Sequence, residues 1–60
     1  MHVFVALQRD PAGELNVVGV FRELADAFDA FGEPDSVWAE TAPGRWTDGE
    51  GLRIERHALV

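Results

Sequence analysis

Sixty residues without a cysteine make one small domain, spanning 1–60, and exclude disulfides and thiolate metal sites from the outset. Eleven acids against five arginines, with no lysine, give a formal charge of −6, a balance that disfavours nucleic acid as a partner. A chain this short buries only about 60% of the surface its unfolded form exposes, so a disulfide, a metal or a partner chain usually completes the core.

Disulfides being absent, and His2 and His57 being the only imidazoles, neither a structural metal nor a cofactor is expected. The ordinary route left, besides a well-packed monomer, is a homodimer or another protein partner. The acidic excess with arginine as the sole basic residue fits a salt-rich cytoplasm, with GC-rich coding as the other source of the arginine bias. No apolar run reaches the roughly 18 residues of a membrane span. Met1-His2-Val3 places no basic segment ahead of the first apolar stretch, so a signal peptide is not expected and the cytoplasm is the expected location.

Val3, Val5 and Leu7 alternate with Phe4 and Ala6, the two-residue period of a strand with apolar side chains on both faces. Gln8 to Glu14 interrupts it, because Pro11 fixes its own φ and Gly13 accepts the positive φ of a turn. Leu15 to Phe21 resumes an apolar, β-branched pattern, so residues 3 to 7 and 15 to 21 predict an antiparallel hairpin. After Phe21 the period changes. Leu24, Ala27, Phe28 and Phe31 recur at i, i+3, i+4 and i+7 and predict a helix from Arg22 or Glu23, with Glu23, Asp26 and Asp29 facing away. Arg22 is a poor N-cap; Gly32 closes the helix and Pro34 prevents its resumption.

Val37 to Thr41 suggests a short strand and Ala42-Pro43-Gly44 a turn. Arg45-Trp46-Thr47 is either a returning strand or irregular chain that folds a tryptophan onto the core. Asp48-Gly49-Glu50-Gly51 is a loop. Leu52 to Leu59 is the final strand, with Leu52 and Ile54 on one face and Arg53 and Glu55 on the other. His57 and Leu59 fall off the Ile54 face, which predicts a bulge or a two-faced strand. The fold class is therefore α+β, a small mostly antiparallel sheet with one helix packed on one face, in the order β-β-α-β-(β).

One helix covers one face. With Val3, Val5, Leu7, Leu15, Val17 and Phe21 turned towards it, Phe4, Val18 and Val20 point the other way and need a second cover. Trp38 and Trp46 in the 36 to 47 segment supply it, or another subunit does; both hold if the tryptophans form a dimer interface, where they are enriched.

Four pieces of the chain carry a family resemblance: Val3-Phe4-Val5-Ala6, Val18-Gly19-Val20-Phe21, the alanine-rich run Ala25 to Ala30, and Ile54-Glu55-Arg56-His57-Ala58-Leu59. Together they resemble a family of small prokaryotic and phage proteins of unknown function. Its members open on a Val-Tyr-Val-Val-like strand, pass through a Gly-Val-Phe/Tyr step into a helix and close on an Ile-x-x-Tyr-x-Leu-like strand. Arg22 stands where that family has a small polar residue, and His57 where it has the terminal aromatic. The resemblance implies a compact α/β fold and transfers no functional residue.

The chemistry-bearing residues are few. His2 and His57 meet only if the first and last strands are neighbours, with Glu55 as a partner. Asp48 and Glu50 offer oxygen ligands to a hard cation, but the twelve-residue calcium loop is missing. Glu23, Asp26 and Asp29 decorate a solvated helix face instead of forming a carboxylate pair in a cleft. Ser36 is the only serine and lacks a G-x-S-x-G setting, and no glycine loop cradles phosphate. Charge is uneven, net −5 over residues 1 to 35 and −1 over 36 to 60.

Arg45, Arg53 and Arg56 beside Trp38 and Trp46 make the guanidinium and aromatic mixture that single strands use for stacking. The expected interaction surface is thus Phe4, Val18, Val20, Trp38, Trp46, Arg45, Arg53 and Arg56, with no catalytic, cofactor or metal residue. The expected function is non-enzymatic, acting through protein association and first of all self-association. The alternatives are a nucleic-acid-binding regulatory module using those arginines and exposed tryptophans, or a small ligand or metal module.

Overall fold

The structure, a computed structural model, describes residues 1–33 and 37–59; the expectations placed on Pro34 and Ser36 lie outside them. The elements are β1 (His2–Arg9), β2 (Leu15–Phe21), α1 (Leu24–Phe31), β3 (Ala39–Ala42), β4 (Arg45–Thr47) and β5 (Leu52–Ala58). They form one five-stranded sheet in the order β2-β1-β5-β4-β3 with every neighbouring pair antiparallel. The open question at 45–47 resolves as a returning strand, and the preceding strand begins at Ala39, two residues later than Val37. No helix among the described residues is long and apolar enough to cross a membrane.

Tight turns fix the hairpins. In the first, the Asp10 carboxylate accepts the Glu14 backbone N–H at 2.9 Å and the Asn16 side-chain amide at 3.1 Å, while the Asp10 and Glu14 backbones bond at 2.8 Å. These donors, the Glu14 N–H first, hold the Asp10 carboxyl below its ordinary value near 3.8. A carboxylate stabilised in this way favours the folded state above its unfolded pKa, and the benefit disappears as pH falls through the lowered folded value. Asp10→Asn is therefore expected to be less stable than the parent at neutral pH, with the gap closing below about pH 3.8. Urea titrations at pH 7 and pH 2.5 measure both ends of that window.

Helix α1 spans eight residues, too few to persist alone in water, and survives by packing. Ala27 is completely buried, with Leu24, Phe28 and Phe31 half-buried around it, as the sequence spacing predicts. Gly32 takes the left-handed conformation at φ 68° and its N–H bonds the Asp29 carbonyl, so the helix ends where a glycine relieves the Cβ clash. Its other end is weak. Glu23 occupies the N-cap with extended backbone but makes no side-chain capping bond. Glu23→Ser is expected to raise stability by about 1 kcal/mol, since a serine oxygen reaches the free N–H groups of the first turn. Thermal melting of the two proteins tests this.

The core is Ala6, Ala27 and Ile54, with Phe4, Phe21, Leu24, Phe28, Phe31, Trp38 and Trp46 packed around it. Small residues at its centre let the helix approach closely: Ala6 stands between Gly19 and Ile54 across the strands. The ring of Phe21 lies over Gly19, 2.9 Å from where a Cβ would sit, so any larger residue there displaces the ring. Trp38 stacks on Phe28 at 5.1 Å and meets Phe31 at 5.7 Å, and Trp46 meets Phe4 at 5.9 Å.

These contacts correct the expected assignment of faces. Phe4 lies on the helix side, while Val3, Val5, Leu7, Leu15 and Val17 lie on the other. Alternation could not choose between two apolar sets. The aromatic rings bury more area than the valines and flank the small Ala6–Gly19 pair, so that set lies under the helix. A bulge completes the rearrangement: Ala6 opposes Gly19 but Leu7 opposes Val17, leaving Val18 as an extra residue in β2. The bulge puts Val17 and Val20, three apart, on one face. Of the two readings of the last strand, a bulge or a two-faced strand, the second holds: β5 runs in unbroken register with both neighbours.

Candidate association surface

Strand alternation assigns the face away from the helix. It carries Val3, Val5 and Leu7 from β1 beside Val17 and Val20 from β2, then Arg53, Glu55 and His57 from β5 and Arg45 and Thr47 from β4. The apolar half and the polar half meet along the β1–β5 ladder, where Val3, Val5 and Leu7 oppose His57, Glu55 and Arg53. No described segment lies over this face. Val17 is 63% and Val20 59% exposed, and Val18, on the bulge, is 49% exposed.

Charge on this face differs in sign from the chain as a whole. Arg9, Arg45 and Arg53 project from it, against Glu55 as the single acid among the described residues of these strands. Glu55 is shared: it lies 3.3 Å from His57 Nε2 and 3.9 Å from Arg53, and directly opposite Arg45 on the next strand. Such half-exposed pairs contribute little energy, about 1 kcal/mol or less, but they fix the signs the face presents. The acids of α1, Asp26 and Asp29, and the Glu23 that precedes it are exposed on the other side of the molecule.

The expected surface residues are divided by the sheet. Val20, Arg45 and Arg53 lie on the open face, and Val18 protrudes from the edge strand beside Gln8, Asp10 and Asn16. Phe4, Trp38 and Trp46 are packed into the helix-side core. Arg56 opposes Phe4 and so also lies on the helix side, away from Arg45 and Arg53. The second cover expected from the tryptophans is therefore not there. Trp46 borders a hollow with Arg45, Thr47 and Arg53, but its ring is engaged by Phe4. Trp38 Nε1 is buried without a partner among the described residues.

The remaining candidates do not converge. His2 opposes Ala58 while His57 opposes Val3, so adjacent strands carry the two histidines on opposite faces. In the 48 to 51 loop, the Asp48 carboxylate accepts the N–H groups of Glu50 and Leu52 at 2.8 and 3.1 Å. Glu33 comes close enough that loss of solvation, then Asp48, then Glu50 raise its pKa above the ordinary 4.5. Among the described residues no group of three or more His, Asp or Glu side chains is arranged to hold a metal ion.

Sequence reasoning missed Val3, Val5, Leu7, Val17 and Arg9 as surface. The signal for Val17 was the Gly19 between two exposed valines, since a glycine inside a strand marks a bulge or close approach. No family model, no curated protein and no solved structure matches the chain, so the reading of this surface rests on its own residues.

Proposed function

We propose that this is a non-enzymatic protein that works by association with a second copy of itself through the uncovered side of the β1–β2 hairpin. The observation that carries the reading is the apolar stripe on the face away from the helix, half-buried Val3, Val5 and Leu7 beside exposed Val17 and Val20, in a chain whose tryptophans are both packed on the opposite face. A core whose completely buried residues are Ala6, Ala27 and Ile54 is small, and a partner adds apolar burial at about 25 cal/mol per Å².

Two chains of −6 repel one another, and the open side of the hairpin, with the acids of α1 exposed on the other side of the molecule, is where that repulsion is least. A cytoplasm of high ionic strength is the setting we propose, because salt shortens the range of the repulsion to about 3 Å at 1 M and leaves apolar burial intact.

Light scattering coupled to size-exclusion chromatography, run from low to multimolar salt, tests this. The expected result is a dimer mass that persists or strengthens as salt rises. A folded monomer at every salt and protein concentration overturns the proposal. Association held by phosphate contacts responds in the opposite direction, weakening steeply with salt.

A further inference from the structure

One end of the open face is walled by cations, although the chain as a whole carries −6. A hollow of about 160 Å³ lies where the end of β1 and the start of β5 meet the 48 to 51 loop. Arg9 and Arg53 bound it, with Thr47, Leu15 and the loop glycines Gly49 and Gly51, and no acid is among its walls. Sites that take a whole drug-sized molecule run from roughly 300 to 1,000 Å³, so this one suits a single small group.

The two arginines reach the hollow from neighbouring strands and are not spent elsewhere. The Arg9 backbone N–H donates to the Gly51 carbonyl at 2.9 Å, and a Cβ added at Gly51 would stand 3.6 Å from that of Arg9, so the stem of Arg9 is held against the loop. Its guanidinium gives one N–H to the Gly13 carbonyl and, among the described residues, pairs with no carboxylate. Arg53 approaches Glu55 only to 3.9 Å, too far for a hydrogen bond. The loop acids are engaged elsewhere: Asp48 accepts the N–H groups of Glu50 and Leu52, and both acids act on Glu33. The Thr47 hydroxyl is also committed, donating to the Leu52 carbonyl at 3.0 Å and accepting the Gly49 N–H at 3.1 Å. Guanidinium donors on two sides are what the hollow offers.

We propose that this hollow binds a phosphate group between Arg9 and Arg53. Charge selects the occupant, because an acidic chain repels an anion everywhere except where its local charge is positive. Geometry narrows the class. A guanidinium has donors only, in a planar fork that matches oxyanions; one fork satisfies a planar carboxylate, whereas a tetrahedral dianion presents oxygens to two forks at once. A second hollow, of about 310 Å³, adjoins the first across Arg53 and Thr47 and is lined by Thr41, Arg45 and Trp46. The ligand is therefore a small phosphate monoester whose hydroxylated body runs towards Thr41 and Arg45. The site uses residues of one copy and stands apart from self-association.

Amide NMR spectra of the intact chain, titrated at matched ionic strength with inorganic phosphate, glycerol phosphate or sodium chloride, test this. Phosphate is expected to give saturable shifts centred on Arg9, Leu15, Gly49, Gly51 and Arg53, and chloride none. Glycerol phosphate is expected to bind more tightly and to extend the shifts to Thr41 and Arg45; equal affinity with identical shifts makes the free ion the ligand and overturns the ester. Arg9→Gln and Arg53→Gln are each expected to weaken binding at least about tenfold while keeping the parent's dispersed spectrum. Arg56→Gln removes the same charge from the helix side and is expected to leave binding unchanged. Shifts that do not saturate, chloride acting on the same amides equally, or Arg56→Gln weakening binding as much as Arg9→Gln overturns the site and leaves self-association untouched.

Discussion

Ile54→Ala is expected to remove roughly half of the protein's stability at 25 °C. Ile54 is the largest side chain that is completely buried. It sits in β5 between Ala6 on one neighbouring strand and Trp46 on the other, so its methyl groups tie the two halves of the sheet to the core below α1. Truncating a buried isoleucine costs about 2 to 5 kcal/mol, more where the surroundings cannot close on the cavity. Here they close poorly, since the neighbours are a backbone-limited alanine and an indole already packed against Phe4. A domain of this length has only about 3 to 9 kcal/mol in total, so the loss takes roughly half of it. Far-UV circular dichroism and a urea titration measure the outcome; a cooperative transition with a midpoint near the parent's contradicts the core described above.

Val17→Lys combined with Val20→Lys is expected to abolish the proposed self-association and leave a folded monomer. Both valines are more than half exposed in the single chain, so the fold loses little, within about 1 kcal/mol on an edge strand. In the proposed associated state four ammonium groups are brought into the contact, and like-charge juxtaposition of that kind costs several kcal/mol, a weakening of self-association by at least about 100-fold. The direction is informative because the substitutions move the net charge from −6 towards neutrality. A protein whose association were limited by overall repulsion would dimerise more tightly. Sedimentation equilibrium distinguishes the two, and unchanged dimerisation removes β2 from the interface.

Much of the fold can be read from the residues, and the part that cannot has a definite cause. The helix is legible because Leu24, Ala27, Phe28 and Phe31 keep one period and Gly32 ends it. The hairpins are legible because Pro11, Gly13, Pro43 and Gly44 interrupt apolar runs. The facing of β1 is not, since Val3, Val5 and Leu7 are as apolar as Phe4 and Ala6, and the choice between them is made by the space between sheet and helix. A bulge at Val18 then changes the parity of β2, which no count of alternation starting from Leu15 can carry past Gly19. The open face inherits both difficulties: Val20, Arg45 and Arg53 lie on it, while Phe4, Trp38 and Trp46 are taken into the core and Arg56 to the far side.

The sheet places the first strand of the chain and the last side by side at its centre, with the residues between them looped outward to both edges. Three local hairpin steps, β1–β2, β3–β4 and β4–β5, close over short turns, but β1 and β5 meet only after nearly the whole chain has been gathered in, from His2 with Ala58 to Gln8 with Leu52. Closing that loop is the entropically expensive step and sets the rate. Refolding should therefore be slow for so short a chain and concentrated in a single barrier. Trimming β1 or β5 removes the middle of the sheet and not a margin, so no shortened fragment retains half the structure.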